Sequence, residues 1–211
     1  MFVAGLGRFG SALAIELADA GVDVLAADID AEVVERLGDV LGYVVRADTT
    51  REDVLRQLDV PDFSHAVVAI GTDLEASILT TSWLMQFEVP TVWGKALTDA
   101  HGQILHQLGV HHVVHPELEM GRRTAHLLRG ALADYENIGG GFAMVTAQVP
   151  RSLHDKRIGD LKPQRRGDIN IVAIRHGDGP WEHTRAETVL TWDATVIVIG
   201  PEEDAEHFID L

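Results

Sequence analysis

Three glycines spaced as G-x-G-x-x-G, in Gly5-Leu6-Gly7-Arg8-Phe9-Gly10, form the first group in the chain able to do chemistry. The chemistry is anion binding by backbone. The first glycine allows a tight turn, the second lets the main chain approach a phosphate, and the third lets a helix pack closely on a strand. Free N–H groups at the start of that helix then hold phosphate oxygens. Asp28 comes 18 residues after Gly10, at the end of the second strand-like run, where a carboxylate accepts from ribose hydroxyls. Its charge would repel a 2′-phosphate. Arg8 sets a guanidinium fork beside the phosphates, which suits a terminal di- or triphosphate better than a bridging pyrophosphate. A solvated arginine in a first helical turn is the plainer alternative.

Further candidates lie downstream. Ala69-Ile70-Gly71-Thr72-Asp73 follows the fourth strand-like run, and Gly71 there would let a base or ribose come close. Lys95 ends the fifth run and faces the same crevice, unless it simply closes a strand with a charge. His101, His106, His111, His112 and His115 cluster in sequence. His111 and His112 are adjacent in an expected strand and so point to opposite faces, which argues against one shared ion. Glu117 and Glu119 open a helix, where acids suit the dipole without any metal. No nucleophile elbow, zinc-protease pair or Walker motif occurs, and no catalytic residue can be nominated.

These residues need elements to position them. Short β-branched runs at 2–5, 23–27, 43–46, 66–70, 91–95 and 112–115 read as buried strands. Helical periodicity fills the intervals at 11–20, 31–37, 52–58, 74–87 and 100–108, and then 118–133. Strict alternation with single-helix crossovers predicts an α/β fold, a Rossmann-type doubly wound parallel sheet. Near Asn137 the pattern changes. Gly139, Gly140 and Gly141 cannot hold a helix, and strand-like runs at 142–149, 169–175, 187–190 and 195–199 follow, with short helices expected near 158–161 and 203–209. Two domains are expected: a nucleotide-binding one over 1–136 and a small α+β one over 137–211.

Composition narrows the function. The 211 residues include 33 acidic and 17 basic side chains, a net charge of −16, which opposes binding to nucleic acid or anionic lipid. With no cysteine, disulfides, thiolate zinc sites and cysteine nucleophiles are excluded. No apolar run approaches the roughly 20 residues of a membrane span, and no secretory signal is visible, so an acidic, soluble, intracellular protein is expected.

A longer series of blocks occurs in order: Gly5–Gly10, Asp28-Ile29-Asp30, Val68–Gly71, Glu75–Thr81, Val92–Ala96 and His115–Gly121. In the C-terminal part come Ser152-Leu153, Ile158–Leu161, Gly167–Arg175 and Asp193–Gly200. Over nearly the whole chain this resembles the RCK (KTN) regulatory subunits of bacterial potassium uptake systems, of the KtrA/TrkA type. The resemblance implies a non-enzymatic gating subunit with an RCK N-lobe and a small C-lobe. Dimers would assemble into an octameric ring beneath a membrane-embedded potassium-translocating subunit, at the cytoplasmic face of the membrane. ATP or ADP, with NAD or NADH as alternatives, would shift the ring between shapes.

By matching positions, Gly5, Gly7 and Gly10 would hold phosphates, Asp28 the ribose, and Arg8 and Lys95 the phosphate end. Asp48 and Thr49 would lie near the adenine. Leu6, Phe9, Ile29, Asp30, Ile70 and Gly71 complete the expected set. Glu117 would stand near a divalent or sodium cation at the dimer interface, and Ile169–Arg175 matches a segment that binds cyclic di-AMP in some members. Two departures stand out. The first strand starts one residue after Met1, which leaves room for a native start upstream. Asp30 adds a charge beside the ribose that weakens the case for polyphosphates. An NAD-dependent oxidoreductase is the rival reading, and an NAD(H)-sensing transcriptional regulator a third; the charge and the lack of a helix-turn-helix count against the latter.

Overall fold

The computed structural model describes residues 1–128, 132–161 and 168–208. Its contacts group Met1–Leu118 and Glu119–Leu211 as two compact units. The first unit alternates β1 (Phe2–Ala4), α1 (Arg8–Asp19), β2 (Leu25–Asp28), α2 (Ala31–Gly38), β3 (Tyr43–Arg46), α3 (Glu52–Gln57), β4 (His65–Val68), α4 (Leu74–Gln86), β5 (Thr91–Lys95), α5 (Asp99–Gln107) and β6 (His112–Val114). Helix α6 (Pro116–Leu128) follows. All six strands pair in parallel, in the order β3-β2-β1-β4-β5-β6. This is the doubly wound sheet that the alternation predicts.

Both faces of that sheet are covered, which is why its strands are apolar in their interiors and carry polar residues such as Asp28, Arg46 and Lys95 at their ends. Successive side chains of β1 go to opposite sides. Phe2 and Ala4 join one buried cluster with Ala27, Val68, Leu84, Val92 and Leu105. Val3 joins the other with Ala26, Val67, Leu6, Leu37 and Leu41. Strand order reverses between β1 and β4, so the loops after these two strands open a crevice at the carboxyl edge of the sheet.

Helix starts are set locally. Asp30 caps α2 by accepting from Glu32 N–H, Asp73 caps α4 through Ala76 N–H, and Thr98 caps α5 through His101 N–H. Helix α1 starts at Arg8, three residues before the periodicity suggests, so the glycine turn runs straight into its first turn.

In the second unit, β7 (Leu132–Gly139), β8 (Phe142–Gln148), β10 (Asn170–His176), β11 (Glu182–His183) and β13 (Ala194–Pro201) form an antiparallel sheet ordered β11-β10-β13-β8-β7. β9 (Lys156–Arg157) pairs with β12 (Val189–Leu190), and α7 (Glu202–His207) closes the described chain. Every second residue of β13 is buried, among them Val196 and Val198 on Val145, Ile171 and Ile174. The sheet therefore has one wet face, as the alternation in 142–149 suggests.

The stretch expected as the end of a helix is different. Helix α6 ends at Leu128 and β7 occupies 132–139. The pairing of β7 with β8 buries Tyr135, whose hydroxyl donates to Glu202 at 2.6 Å. The three glycines make the β7–β8 hairpin, with φ of +93°, +64° and +79° at Gly139, Gly140 and Gly141. Residues 119–128 and 132–136, which the sequence reading puts in the domain over 1–136, group with the second unit.

Candidate functional site: a cavity at the sheet edge

A cavity of about 810 Å³ opens at the carboxyl edge of the parallel sheet. Its walls contain Gly5, Gly7, Arg8, Phe9, Asp28, Ile29, Asp30, Asp48, Thr49, Ile70, Gly71, Lys95 and Glu117, drawn from the ends of β1, β2, β4 and β5, the first turn of α1, the loop after β3 and the start of α6. Two of the expected residues lie outside it. The Leu6 side chain is fully buried in the core, and Gly10 is buried in the first turn of α1.

The glycine turn is shaped by close backbone contact. Gly5 has φ +91°, and a Cβ there would stand 2.9 Å from the Ile70 nitrogen. A Cβ on Gly10 would lie 1.9 Å from the Gly5 oxygen, so helix and turn fit only without a side chain. Gly7 is different: nothing lies within 4 Å of its Cβ position, so the backbone there faces open cavity. Gly7 also stands at the N-cap of α1 without a capping side chain, and the first turn of α1 holds no acid. The start of α1 therefore has no side-chain cap, an arrangement whose N–H groups can hold an anion.

Asp28 is oriented before any ligand arrives. Leu6 N–H donates to Oδ2 at 2.5 Å and Asp30 N–H to Oδ1 at 2.9 Å, leaving lone pairs on both oxygens for hydroxyl donors. Ile29 is 64% exposed, an apolar surface that a base can cover. Asp30 uses Oδ1 to cap α2. Asp48 accepts from Thr50 N–H and Thr50 Oγ1 at 3.1 and 2.6 Å, which folds the loop after β3 into a tight turn. Thr49 is buried and its hydroxyl meets that of Thr80 at 2.9 Å, so it lines the wall as part of the loop's anchor to α4.

At the other end, the Lys95 ammonium donates to Glu117 Oε1 at 2.6 Å. Lys95 is buried and Glu117 half-exposed. The Lys95 hydrogen bond holds the Glu117 carboxyl below the usual carboxylate range, with a smaller contribution from the charge of Arg8. Among the described residues no group of three or more His, Cys, Asp or Glu side chains is placed to hold a metal ion. Among the histidines, His101 is buried between α4 and the chain before α5, His111 accepts from Val92 N–H, and His112 stacks on Trp93.

Sequence reasoning missed Val33, Thr50, Ala76, Leu79 and Leu97 in the wall. Helical periodicity assigns Val33, Ala76 and Leu79 to a face without telling which face meets a crevice, and Thr50 and Leu97 lie in loops outside any periodic pattern. The one available signal was the position of α4 directly behind the Gly71 loop.

Residues 1–116 match the TrkA-N domain and residues 142–211 the TrkA-C domain. The chain is 36% identical over 207 residues to the Ktr system potassium uptake protein C of Bacillus subtilis (strain 168), covering 98% of this chain and 94% of that protein. It is 31% identical over 202 residues to the Ktr system potassium uptake protein A of Vibrio alginolyticus, covering 95% and 92%. The GsuK RCK domain has the same fold, with a TM-score of 0.67 at 19% identity over all of this chain and 47% of that one; a GsuK channel structure with NAD bound matches at the same TM-score and 17% identity. No helix among the described residues is long and apolar enough to cross a membrane. With both domains matched in order and full-length identity above 30%, the chain belongs to the RCK (KTN) regulatory subunits of bacterial potassium uptake systems, of the KtrA/TrkA type, which are regulators rather than enzymes.

Proposed function

We propose that this chain binds an adenine nucleotide in the cavity over β1, β2 and β4, and that the nucleotide sets the activity of a membrane-embedded potassium-translocating partner. The observation that carries the reading is the uncapped start of α1, opening from Gly7 into a cavity that also holds an oriented ribose acceptor, Asp28. Phosphates belong at Gly5, Gly7 and the first turn of α1, with the ribose on Asp28 and the base against Ile29 near Asp48 and Thr49. Arg8 and Lys95 answer the charge of the phosphate end, which favours ATP or ADP over NAD or NADH. Glu117 offers one carboxylate oxygen beyond its bond to Lys95, so it can hold a divalent or sodium cation only together with phosphate oxygens.

Dimers of this chain would assemble into an octameric ring on the cytoplasmic side of the membrane, attached through the transporter. Nucleotides with different affinity for two ring shapes shift one into the other. Cyclic di-AMP at the C-lobe segment Ile169–Arg175 is a further regulatory ligand of this reading.

Thermal unfolding with ATP, ADP, AMP, NAD and NADH, with and without a divalent cation, tests it. A ligand at 100 times its dissociation constant adds about 2.7 kcal/mol to the native state. ATP and ADP should raise the midpoint most, and Arg8→Ala should weaken ATP more than ADP because the lost fork serves the terminal phosphate. Stabilisation by NADH alone would move the reading to a dinucleotide sensor, and equal weakening of ATP and ADP would remove Arg8 from that role.

A further inference from the structure

Both cations placed to meet a phosphate in this cavity face the same carboxylate. Lys95 rises from the end of β5 with its side chain only 8% exposed, and its ammonium lies 2.6 Å from Glu117 Oε1. The same nitrogen stands 5.6 Å from the centre of the Phe9 ring, in the first turn of α1. Gly71 leaves it the room, since a Cβ there would be 3.1 Å from Nζ. Arg8 borders the same cavity and acts on Glu117 through its charge.

The two partners of this ion pair are unequally committed. A buried ammonium cannot lose its counter-charge without a heavy desolvation penalty, so it exchanges one anion for another. Glu117 has 59% of its side chain exposed, at the second residue of α6, and rehydrates easily once released. A polyphosphate on the glycine turn brings more negative charge to Lys95 than one carboxylate does.

From this arrangement, which rests on the nucleotide reading above, we infer that the Lys95–Glu117 ion pair is a latch opened by phosphate. Nucleotide phosphates take over the Lys95 ammonium, and Glu117 is freed together with its hold on the first turn of α6. In the ligand-free protein Glu117 competes with the ligand, so without a bridging cation it lowers nucleotide affinity. Lys95 is thereby a binding residue whose availability Glu117 controls.

Calorimetric titration of ADP into the full chain, in EDTA so that no cation links Glu117 to phosphate, tests the latch. The variants are Glu117→Gln and, as a neighbouring charge on the same helix, Glu119→Gln. Glu117→Gln should bind ADP roughly fivefold tighter than the unmodified chain, or more, and Glu119→Gln should stay within about twofold. Binding by Glu117→Gln where the unmodified chain shows none also supports the latch. Unchanged or weaker ADP binding in Glu117→Gln, or equal tightening in Glu119→Gln, overturns the latch and leaves the nucleotide reading standing. Failure of all three chains to bind ADP overturns both.

Discussion

At the scale of single residues, Asp28 is held by backbone, unlike Lys95 and Glu117, which hold one another. Asp28 receives one N–H on each oxygen from Leu6 and Asp30, so its orientation costs a ligand nothing. His101 shows the same economy away from the cavity. It is 1% exposed, Leu97 N–H points at its Nδ1 and Ser77 Oγ lies 3.3 Å from its Nε2, which fits a neutral ring protonated on Nε2. Burial, and then the charge of His115, lower its pKa below the ordinary 6.5. The unfolded chain therefore binds a proton at His101 more readily than the folded one. Its effect on stability is absent above about pH 6.5 and grows as the pH falls from there toward the folded-state value. Urea unfolding at pH 7.5, 6.5 and 5.5 should show stability falling at the acid end, and His101→Gln should flatten that fall. An unchanged pH slope in the variant would assign the loss to other histidines.

At the scale of elements, the helix starts divide by how their first turns are closed. Helices α2, α4 and α5 close their first turns with Asp30, Asp73 and Thr98, whereas α1 has neither cap nor acid. Asp30 thus has two roles that pull apart, capping α2 while placing a carboxylate on the cavity wall. Asparagine caps as well as aspartate, and losing the cap altogether costs about 1 kcal/mol. Asp30→Asn should therefore leave the urea midpoint nearly unchanged and tighten ATP more than NAD, while Asp30→Ala should lower the midpoint. If Asp30→Asn binds ATP no better, the charge at this position is screened from the phosphates. The six parallel strands and the helices between them were legible in the sequence, because buried parallel strands are apolar on both faces and amphipathic helices repeat at 3.6 residues. Strand β7 was not. Leu132–Gly139 carries Asp134, Glu136 and Asn137, and becomes a strand through its ladder with β8.

For the whole molecule, charge is the dominant feature. A net −16 on 211 residues means that folding gathers like charges, and the ion pairs described, such as Arg51–Asp53, Arg56–Glu52 and Arg123–Asp134, lie at exposed or half-exposed positions where each contributes little. Raising potassium chloride from about 0.01 M to about 0.15 M shortens the screening length from roughly 30 to 8 Å. The thermal midpoint should rise over that range, and a flat response would show that the acidic side chains lie too far apart to repel.

By itself the sequence determined the doubly wound sheet, the glycine turn that enters α1, and the acid at the end of β2. Each of these is written locally, in periodicity and in residues a few positions apart. Tertiary structure alone decided that Lys95 faces Glu117, that Thr49 is tied to Thr80, and that Val33, Leu79 and Leu97 share a wall with the glycine turn. These partners are 22 or more residues apart in the chain or lie on helix faces of equal apolar character, and only the packing of helices on the sheet selects which of them meet.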